Sequence, residues 1–227
     1  MPRPLRDLKC RRAYHVYQRG NERQRVFHSQ RQLLSYLNRL NLLARRYKVR
    51  IHAFCLMSNH VHFILEPTRK RGISNLMRDL QSQHAREVLL ARQSDGHLWK
   101  HHYGALALGP AHYRAALRYV EENPVRAGLA RRPEDYPYSS AAAHCAHAAQ
   151  AQIHLRKGSA HVDLYLKRWQ AELAQPAPPL DPAVLAQLTK VLGPDRRQPL
   201  PSFPLPRPIP PPCSPSPTPP TANARGA

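Results

Sequence analysis

Met57-Ser58-Asn59-His60-Val61-His62-Phe63-Ile64-Leu65 is the stretch whose reading decides the fold. Residues 60–66 are an apolar run closed by Pro67, and residues 49–57 form a similar run before it. Both read as strands, joined at Ser58-Asn59, and a connection that short pairs them antiparallel. Strand side chains alternate. His60, His62, Ile64 and Glu66 therefore share one face, and Asn59, Val61, Phe63 and Leu65 share the other. Two imidazoles at i, i+2 converge and could hold one ion. The spacing alone carries little weight, since 14 histidines among 227 residues predict about one His-x-His pair by chance. The apolar setting adds weight, because a buried imidazole without a partner carries a desolvation cost. Two satisfied core histidines remain the ordinary alternative.

Working outward, residues 13–18 suit a further strand and Arg19-Gly20-Asn21-Glu22 a turn. Ser29-Gln30-Arg31-Gln32 fits a capping box, and Leu33, Leu37, Leu40, Ala44 and Tyr47 continue at helical spacing to about residue 46. Beyond Pro67, Ser74 is placed to cap a helix running to about residue 92, with Leu76, Leu80, Ala85 and Val88 among its apolar positions. An extended piece around Leu98–Tyr103 precedes a third helix from Pro110 to about Asn123. The order predicts a mixed α/β (α+β) domain around an antiparallel sheet.

In the third helix Tyr119 and Asn123 stand at i, i+4 and share one side. Pro124 disfavours the α conformation at Asn123, so the helix is expected to end or bend there and leave the carboxamide oxygen open to a hard cation. A core tyrosine followed by an Asn-Pro helix stop would look the same. If this helix packs beside the histidine strand, a metal and a phenolic nucleophile meet at one point. The adjacent His101 and His102 diverge, and His144 and His147 lie in an Ala-rich segment without carboxylates, so all four read as exposed or locally satisfied. His15 and His52 fall on strands next to the pair, without a role of their own.

Lys and Arg number 35 against 14 Asp and Glu, a formal charge of +21. Such an excess points to a polyanionic partner, nucleic acid before an acidic membrane surface. No run of 18 uncharged apolar residues occurs, which excludes a spanning helix, and the basic start Met1-Pro2-Arg3-Pro4-Leu5-Arg6 lacks a signal-peptide core. Cys10, Cys55, Cys145 and Cys213 are scattered and read as reduced thiols of a cytosolic protein. Seventeen of the 24 prolines lie in the last 52 residues. The expected organisation is a domain over residues 1–145, a helical extension over 146–175 with Val162, Tyr165, Leu166, Trp169 and Leu173 on one helix, and a disordered Pro-rich tail over 176–227. A short capped helix near 182–192 interrupts that tail.

Three segments in order carry a resemblance: Tyr14-His15-Val16-Tyr17-Gln18-Arg19-Gly20-Asn21, Leu56-Met57-Ser58-Asn59-His60-Val61-His62, and Leu117-Arg118-Tyr119-Val120-Glu121-Glu122-Asn123-Pro124-Val125-Arg126-Ala127-Gly128. Together they resemble the single-tyrosine HUH transposases, the IS200/IS605-like family, and within it the REP-associated tyrosine transposases. Arg132-Pro133-Glu134-Asp135-Tyr136-Pro137-Tyr138-Ser139-Ser140-Ala141 is similar to the same subgroup, and the resemblance covers about residues 10–145. It departs at Trp99-Lys100-His101-His102-Tyr103, where relatives commonly carry a Trp-Gln-x-Arg-Phe-like stretch.

The resemblance implies a ferredoxin-like HUH endonuclease topology, an antiparallel sheet with helices packed against one side. It implies His60 and His62 as metal ligands, Asn123 at the third-ligand position and Tyr119 as nucleophile, with Mg²⁺ or Mn²⁺ as the ion. The implied activity is cleavage and rejoining of single-stranded or hairpin DNA through a 5′-phosphotyrosine. Arg19, Asn21, Arg23, Arg25 and the Arg69-Lys70-Arg71 cluster are the expected backbone contacts, with Tyr14, Tyr17 and Phe27 as stacking faces. The expected protein is cytoplasmic, nucleoid-associated when on DNA, and a monomer or homodimer. Two other readings are a non-catalytic hairpin-binding protein of the same fold, hinted at by the Trp99–Tyr103 departure, and a structural zinc or RNA-binding domain. The lack of paired cysteines argues against the zinc reading.

Overall fold

The computed structural model describes residues 8–144. Its centre is the expected hairpin of β2 (Val49–Leu56) and β3 (His60–Pro67), extended by β1 (Tyr14–Arg19) and β4 (Gly104–Ala107). The four strands form one antiparallel sheet in the order β2-β3-β1-β4. The helices are α1 (Gln30–Arg46), α2 (Gly72–Ala91), α3 (Pro110–Glu121) and two single turns, α4 (Asn123–Arg126) and α5 (Ala141–His144).

Local chemistry explains the elements. The Ser29 hydroxyl accepts the Gln32 N–H at 3.2 Å, and the Gln32 amide oxygen reaches back to the His28 N–H at 2.7 Å, which fixes the start of α1. Leu33, Tyr36, Leu37, Leu40 and Leu43 then form the buried stripe of that helix. Each large apolar side chain so buried stabilises the fold by about 1.5–3 kcal/mol.

Alternation along β3 divides the sheet into two unlike faces. Phe63 turns to α1, where its ring lies 6.5 Å from that of Tyr36 at 10° between planes. His62 turns the other way and meets Tyr119 of α3. Helices therefore cover both sides of the sheet; the one-sided arrangement implied by the resemblance describes α1 and α2 only. A bulge between Ile51 and Ala53 inserts His52 as an extra residue in β2 and aims it at the α3 side.

The turn carrying His60 is held rigidly. Met57 N–H donates to His60 C=O at 2.9 Å, while Gly20 N–H bonds Asn59 C=O at 2.7 Å and Val26 N–H bonds Ser58 C=O at 2.8 Å. Gly20 cannot be replaced cheaply, since a Cβ there would stand 2.3 Å from the Gln24 carbonyl oxygen. Asn21–Arg23 form a 3-10 turn, matching the turn read at this point.

Three local expectations are corrected. α2 starts at Gly72, because Arg71 adopts a left-handed conformation (φ 59°) and reverses the chain before Ser74 is reached. Ser74 lies inside the first turn, with its hydroxyl 3.0 Å from that of Tyr103. The extended piece at Leu98–Tyr103 contributes only a bridge from Trp99 to Gly20; His101 at φ 48° breaks the run, and the paired strand is Gly104–Ala107. Gly104 marks that strand because a Cβ there would fall 1.9 Å from the Tyr17 ring.

The third correction, at Asn123, is partial: α3 does end at Glu121, ahead of Asn-Pro, but Asn123 itself stays helical as the first residue of α4. Glu122 stays in the right-handed region, and Pro124 occupies the first turn of α4, where a missing N–H costs nothing. The carboxamide is accordingly folded onto the helix, its Nδ2 donating to the Tyr119 carbonyl at 3.3 Å. The expectations for residues 146–175 and 176–227, with Cys145, Cys213 and His147, lie outside the described residues. Among the described residues Cys10 and Cys55 are free thiols, and no helix is long and apolar enough to cross a membrane.

Candidate active site

β3 presents both histidines to α3. Their ring centroids are 4.9 Å apart with planes at 86°, His62 is wholly buried and His60 nearly so. Tyr119 approaches from α3, its ring 5.7 Å from His62 and 6.0 Å from His15, edge-on to each. Across the ladder, Arg19 of β1 pairs with His60 and Tyr17 with His62. The site thus joins β1, β3 and α3, brought together by sheet alternation and the packing of one helix.

The Nδ1 atom of each histidine is engaged. His60 Nδ1 lies 2.6 Å from Asn59 Oδ1, and the Asn59 amide nitrogen donates to the Arg23 carbonyl at 3.3 Å. With its nitrogen committed, Asn59 can only accept from His60, so His60 carries its proton on Nδ1 and keeps a lone pair on Nε2. Asn59 belongs to the turn rather than the strand, which lets it reach His60 although simple alternation puts it on the other face. His62 Nδ1 lies 2.9 Å from His15 Nε2, while His62 Nε2 is buried without a protein partner. Burial first, and then the neighbouring His60, His15 and Arg126, hold His62 well below the usual histidine range. Burial lowers His15 to about 3. His62, kept neutral by burial and with Nε2 unpartnered, and His60, engaged at Nδ1, are fit donors to a divalent ion.

Asn123 is 8% exposed and sits one turn beyond Tyr119, with its amide nitrogen used and its oxygen left as an acceptor. Among the described residues no group of three His, Cys, Asp or Glu has metal-binding geometry, so any ion here would rest on two imidazoles and oxygen donors such as this amide. Cys55, directly across from His62, does not enlarge the set: burial pushes its thiol up, away from the thiolate a metal needs.

Other groups pin the tyrosine helix in place. The Arg126 guanidinium lies 4.4 Å above the Tyr119 ring, and it donates to the Tyr119 carbonyl and, at 3.2 Å, to Glu122. At the other end of α3 the Tyr113 hydroxyl is 2.7 Å from His52 Nδ1, and His52 Nε2 stands 3.2 Å from Glu66. The His52 hydrogen bond holds the Glu66 carboxyl below its usual range, against the opposing effect of burial. Glu121, fully buried, accepts from the Ser140 hydroxyl and pairs with His144. A carboxylate thus reaches His144 from α3, which its own Ala-rich segment does not supply. His15 was placed beside the pair by the sequence but given no role, and Asn59 and Arg126 were given none either, although each lies within the quoted segments. For Arg126 the available signal was its position two helical turns beyond Tyr119.

The expected DNA contacts divide. Arg19, Asn21, Arg23 and Arg25 are half-buried around the His60 end of the sheet, and Arg19 is on the histidine face. Arg69, Lys70 and Arg71 are exposed but follow the opposite end of β3, about 23 Å from His60 at strand rise. Tyr17 remains half-buried on the site face, whereas Tyr14 and Phe27 are core residues, Phe27 lying edge-on to Tyr36 at 5.2 Å. These two are unsuited to stacking on bases because their rings already fill the interior. A separate open groove of about 600 Å³ runs between α2 and residues 96–103, lined by Arg71, Arg78, His101, His102, Trp99 and Tyr103. It includes Gln18, which alternates with Tyr17 and Arg19, and so belongs to the opposite face of the sheet. His101 and His102 are exposed there, as read from the sequence.

An antiparallel sheet that sets a histidine pair against a helix-borne tyrosine defines a class, and the comparisons supply the family. The family described as "Transposase IS200 like" matches residues 9–123, just over half of the 227 residues, and the chain belongs to that family. A solved structure of a REP-associated tyrosine transposase bound to a REP hairpin is similar at 20% identity, with 70% of this chain and 96% of that chain covered and a TM-score of 0.53. That likeness is one of fold. A structure described as a transposase candidate from Deinococcus radiodurans aligns at 20% identity over 54% of this chain and 97% of that one, but its TM-score of 0.36 carries no argument. Among curated proteins none matches the chain.

Proposed function

We propose that this transposase-family protein is a metal-dependent enzyme that cleaves and rejoins single-stranded or hairpin DNA, with Tyr119 as nucleophile. The observation that carries the reading is the meeting of the Tyr119 ring with His62 at 5.7 Å, beside a second imidazole, His60, whose ring is 4.9 Å from that of His62 and whose Nδ1 is held by Asn59. The family and the hairpin-bound relative of the same fold support the DNA partner. The REP-associated subgroup and the assignment of this activity to residues 1–145 are part of the same proposal.

His60, His62 and the Asn123 oxygen would hold the divalent ion, Mg²⁺ or Mn²⁺. Bound there, the ion would polarise the scissile phosphate and offset the charge developing at phosphorus. Arg19, opposite His60, is placed to orient the DNA backbone, and the half-buried Tyr17 to stack on a base. The Tyr119 oxygen attacks phosphorus as the bond to the 3′ oxygen breaks. The phosphate remains as a 5′-phosphotyrosine ester and the 3′ end leaves as a hydroxyl. Attack by another 3′-hydroxyl reverses the step and frees Tyr119. Arg126, above the ring, favours negative charge on the tyrosine in both directions.

The test is incubation with a labelled hairpin carrying a single-stranded flank, in Mn²⁺ or Mg²⁺, followed by denaturing electrophoresis. A denaturation-resistant adduct in the wild type that disappears in Tyr119→Phe is expected. An adduct that persists in Tyr119→Phe refutes the nucleophile. Tight binding without any wild-type adduct would instead favour hairpin binding without cleavage.

A further inference from the structure

The two histidines of the site are supported differently. His60 rests on an amide whose polarity is fixed by the Arg23 carbonyl, so its tautomer is set in advance. His62 rests on another histidine. The His15 and His62 centroids are 5.1 Å apart with 13° between planes, and the facing nitrogens are 2.9 Å apart. Those values together put the rings edge to edge in nearly one plane, the arrangement of a linear N–H···N hydrogen bond rather than of face-to-face stacking.

A single proton occupies that line between two neutral rings, and it has two places to sit. With the proton on His62 Nδ1, His62 donates to His15, and His62 Nε2 keeps its lone pair. With the proton on His15 Nε2, His15 donates, and His62 carries its remaining proton on Nε2, where it blocks coordination. The two outer nitrogens, His15 Nδ1 and His62 Nε2, are both buried without a protein partner. Nothing else in the protein therefore decides the direction; a cation at His62 Nε2 would.

We propose that His15 is a positioning residue that, when a cation takes His62 Nε2, accepts the Nδ1 proton of His62 and so supports the metal-bound tautomer. The inference rests on the proposed metal-dependent function and concerns the same site. His15 sits on β1, across the ladder from Ile64, and the neighbouring pair of Tyr17 with His62 fixes the separation of the two strands. The distance between the rings is thus set by sheet register, not by a flexible loop. Replacing His15 with an apolar ring removes the acceptor. His62 is then free to adopt the Nε2–H form that an isolated imidazole prefers, and the metal must reverse that preference.

The experiment titrates Mn²⁺ into wild type, His60→Ala, His15→Phe and His15→Gln, and records long-range ¹H–¹⁵N histidine spectra of the Zn²⁺-loaded wild type. Wild type should bind and His60→Ala should not. His15→Phe should bind some 10- to 100-fold more weakly, the range found when a supporting partner of a metal-bound histidine is lost. His15→Gln, whose amide oxygen can accept from Nδ1, should recover most of the affinity. In the loaded wild type His62 should carry its proton on Nδ1 and His15 should be unprotonated at Nε2. Wild-type affinity in His15→Phe, or a proton on His15 Nε2 in the loaded protein, overturns the inference while leaving the function intact. Should His15→Phe fail to fold, the wild-type spectrum alone decides. Absence of any metal binding by wild type refutes the function itself.

Discussion

The two faces of one sheet do opposite work. Toward α1 and α2, β3 offers Phe63 with Val61 and Leu65, fully buried and apolar, and Tyr36 lies over Phe63. Toward α3 the same strand offers His60, His62 and Glu66, met by Asn59 of the preceding turn, His15 of β1 and Arg50 of β2 respectively. Removing a residue from the first face leaves a cavity. Removing one from the second leaves a polar partner unpaired. A strand of eight residues can thus hold the fold with one set of alternate positions and present the proposed site with the other.

Substitution on each face should separate those roles. Phe63→Ala is expected to cost about 3–5 kcal/mol of unfolding free energy, read by denaturant titration, with metal affinity retained in the molecules that stay folded. His62→Ala should do the reverse. Adduct formation should fall a hundredfold or more, beyond the loss of a supporting residue, while the loss of stability, about 1–3 kcal/mol from the orphaned His15 nitrogen, stays below that of Phe63→Ala. Equal losses of stability from both variants would erase the distinction between the faces.

Acid should probe the core face through His84, which packs edge-on to Tyr36 and donates from Nε2 to the Val26 carbonyl at 2.7 Å. Burial, opposed by that hydrogen bond, lowers His84 to about 4. Its folded value lies below its unfolded one, so the unfolded chain takes up the proton first. Its contribution to stability is complete above pH ~6.5, is lost as pH falls, and levels off below pH ~4. Between pH 7.5 and 5 the loss amounts to about 2 kcal/mol. His84→Gln should remove that share of the pH dependence of unfolding, the rest coming from buried groups such as His15 and His62, and an unchanged slope would exclude His84 as a contributor.

Smaller effects are expected around the site. Arg126→Met removes the cation above Tyr119 and should slow adduct formation about fivefold, as expected for a contact of ~1 kcal/mol. DNA binding should weaken steeply with salt. Arg19→Ala should reduce the log–log salt slope by about one unit, whereas Arg69, Lys70 and Arg71 changed together to Ala should leave it nearly unchanged. A salt-independent affinity would mean that the charge of +21 does not serve DNA binding.

The elements on the histidine strand were legible because two local rules suffice there: alternation places side chains, and a two-residue turn forces antiparallel pairing. The same rules gave His60 and His62 one face, and helical periodicity put Tyr119 of α3 and Asn123 of α4 on one side of the chain. The errors share a cause. Ser74, Asn123 and the Leu98–Tyr103 piece were each read from local preference, and in each the chain takes a course that tertiary contacts stabilise. Arg71 turns left-handed ahead of the expected cap, Pro124 finds a first-turn position, and Trp99 is anchored by its Nε1–H bond to Gln81 at 3.2 Å. His15 was beyond local reading for a different reason. Its bond to His62 spans 47 residues and exists only because β1 pairs with β3 in a particular register.

The central claim is that the α3 face makes Tyr119, among the tyrosines gathered there, the one that takes the DNA. Trypsin can test it directly, since cleavage after Arg118 and Arg126 isolates Tyr119 as the sole tyrosine of its peptide, apart from Tyr113 and Tyr17. After reaction with a hairpin and nuclease trimming, mass spectrometry should find the nucleotide mass on the Tyr119–Arg126 peptide. Nucleotide mass on a peptide carrying Tyr17 or Tyr113, with Tyr119–Arg126 unmodified, would contradict the account.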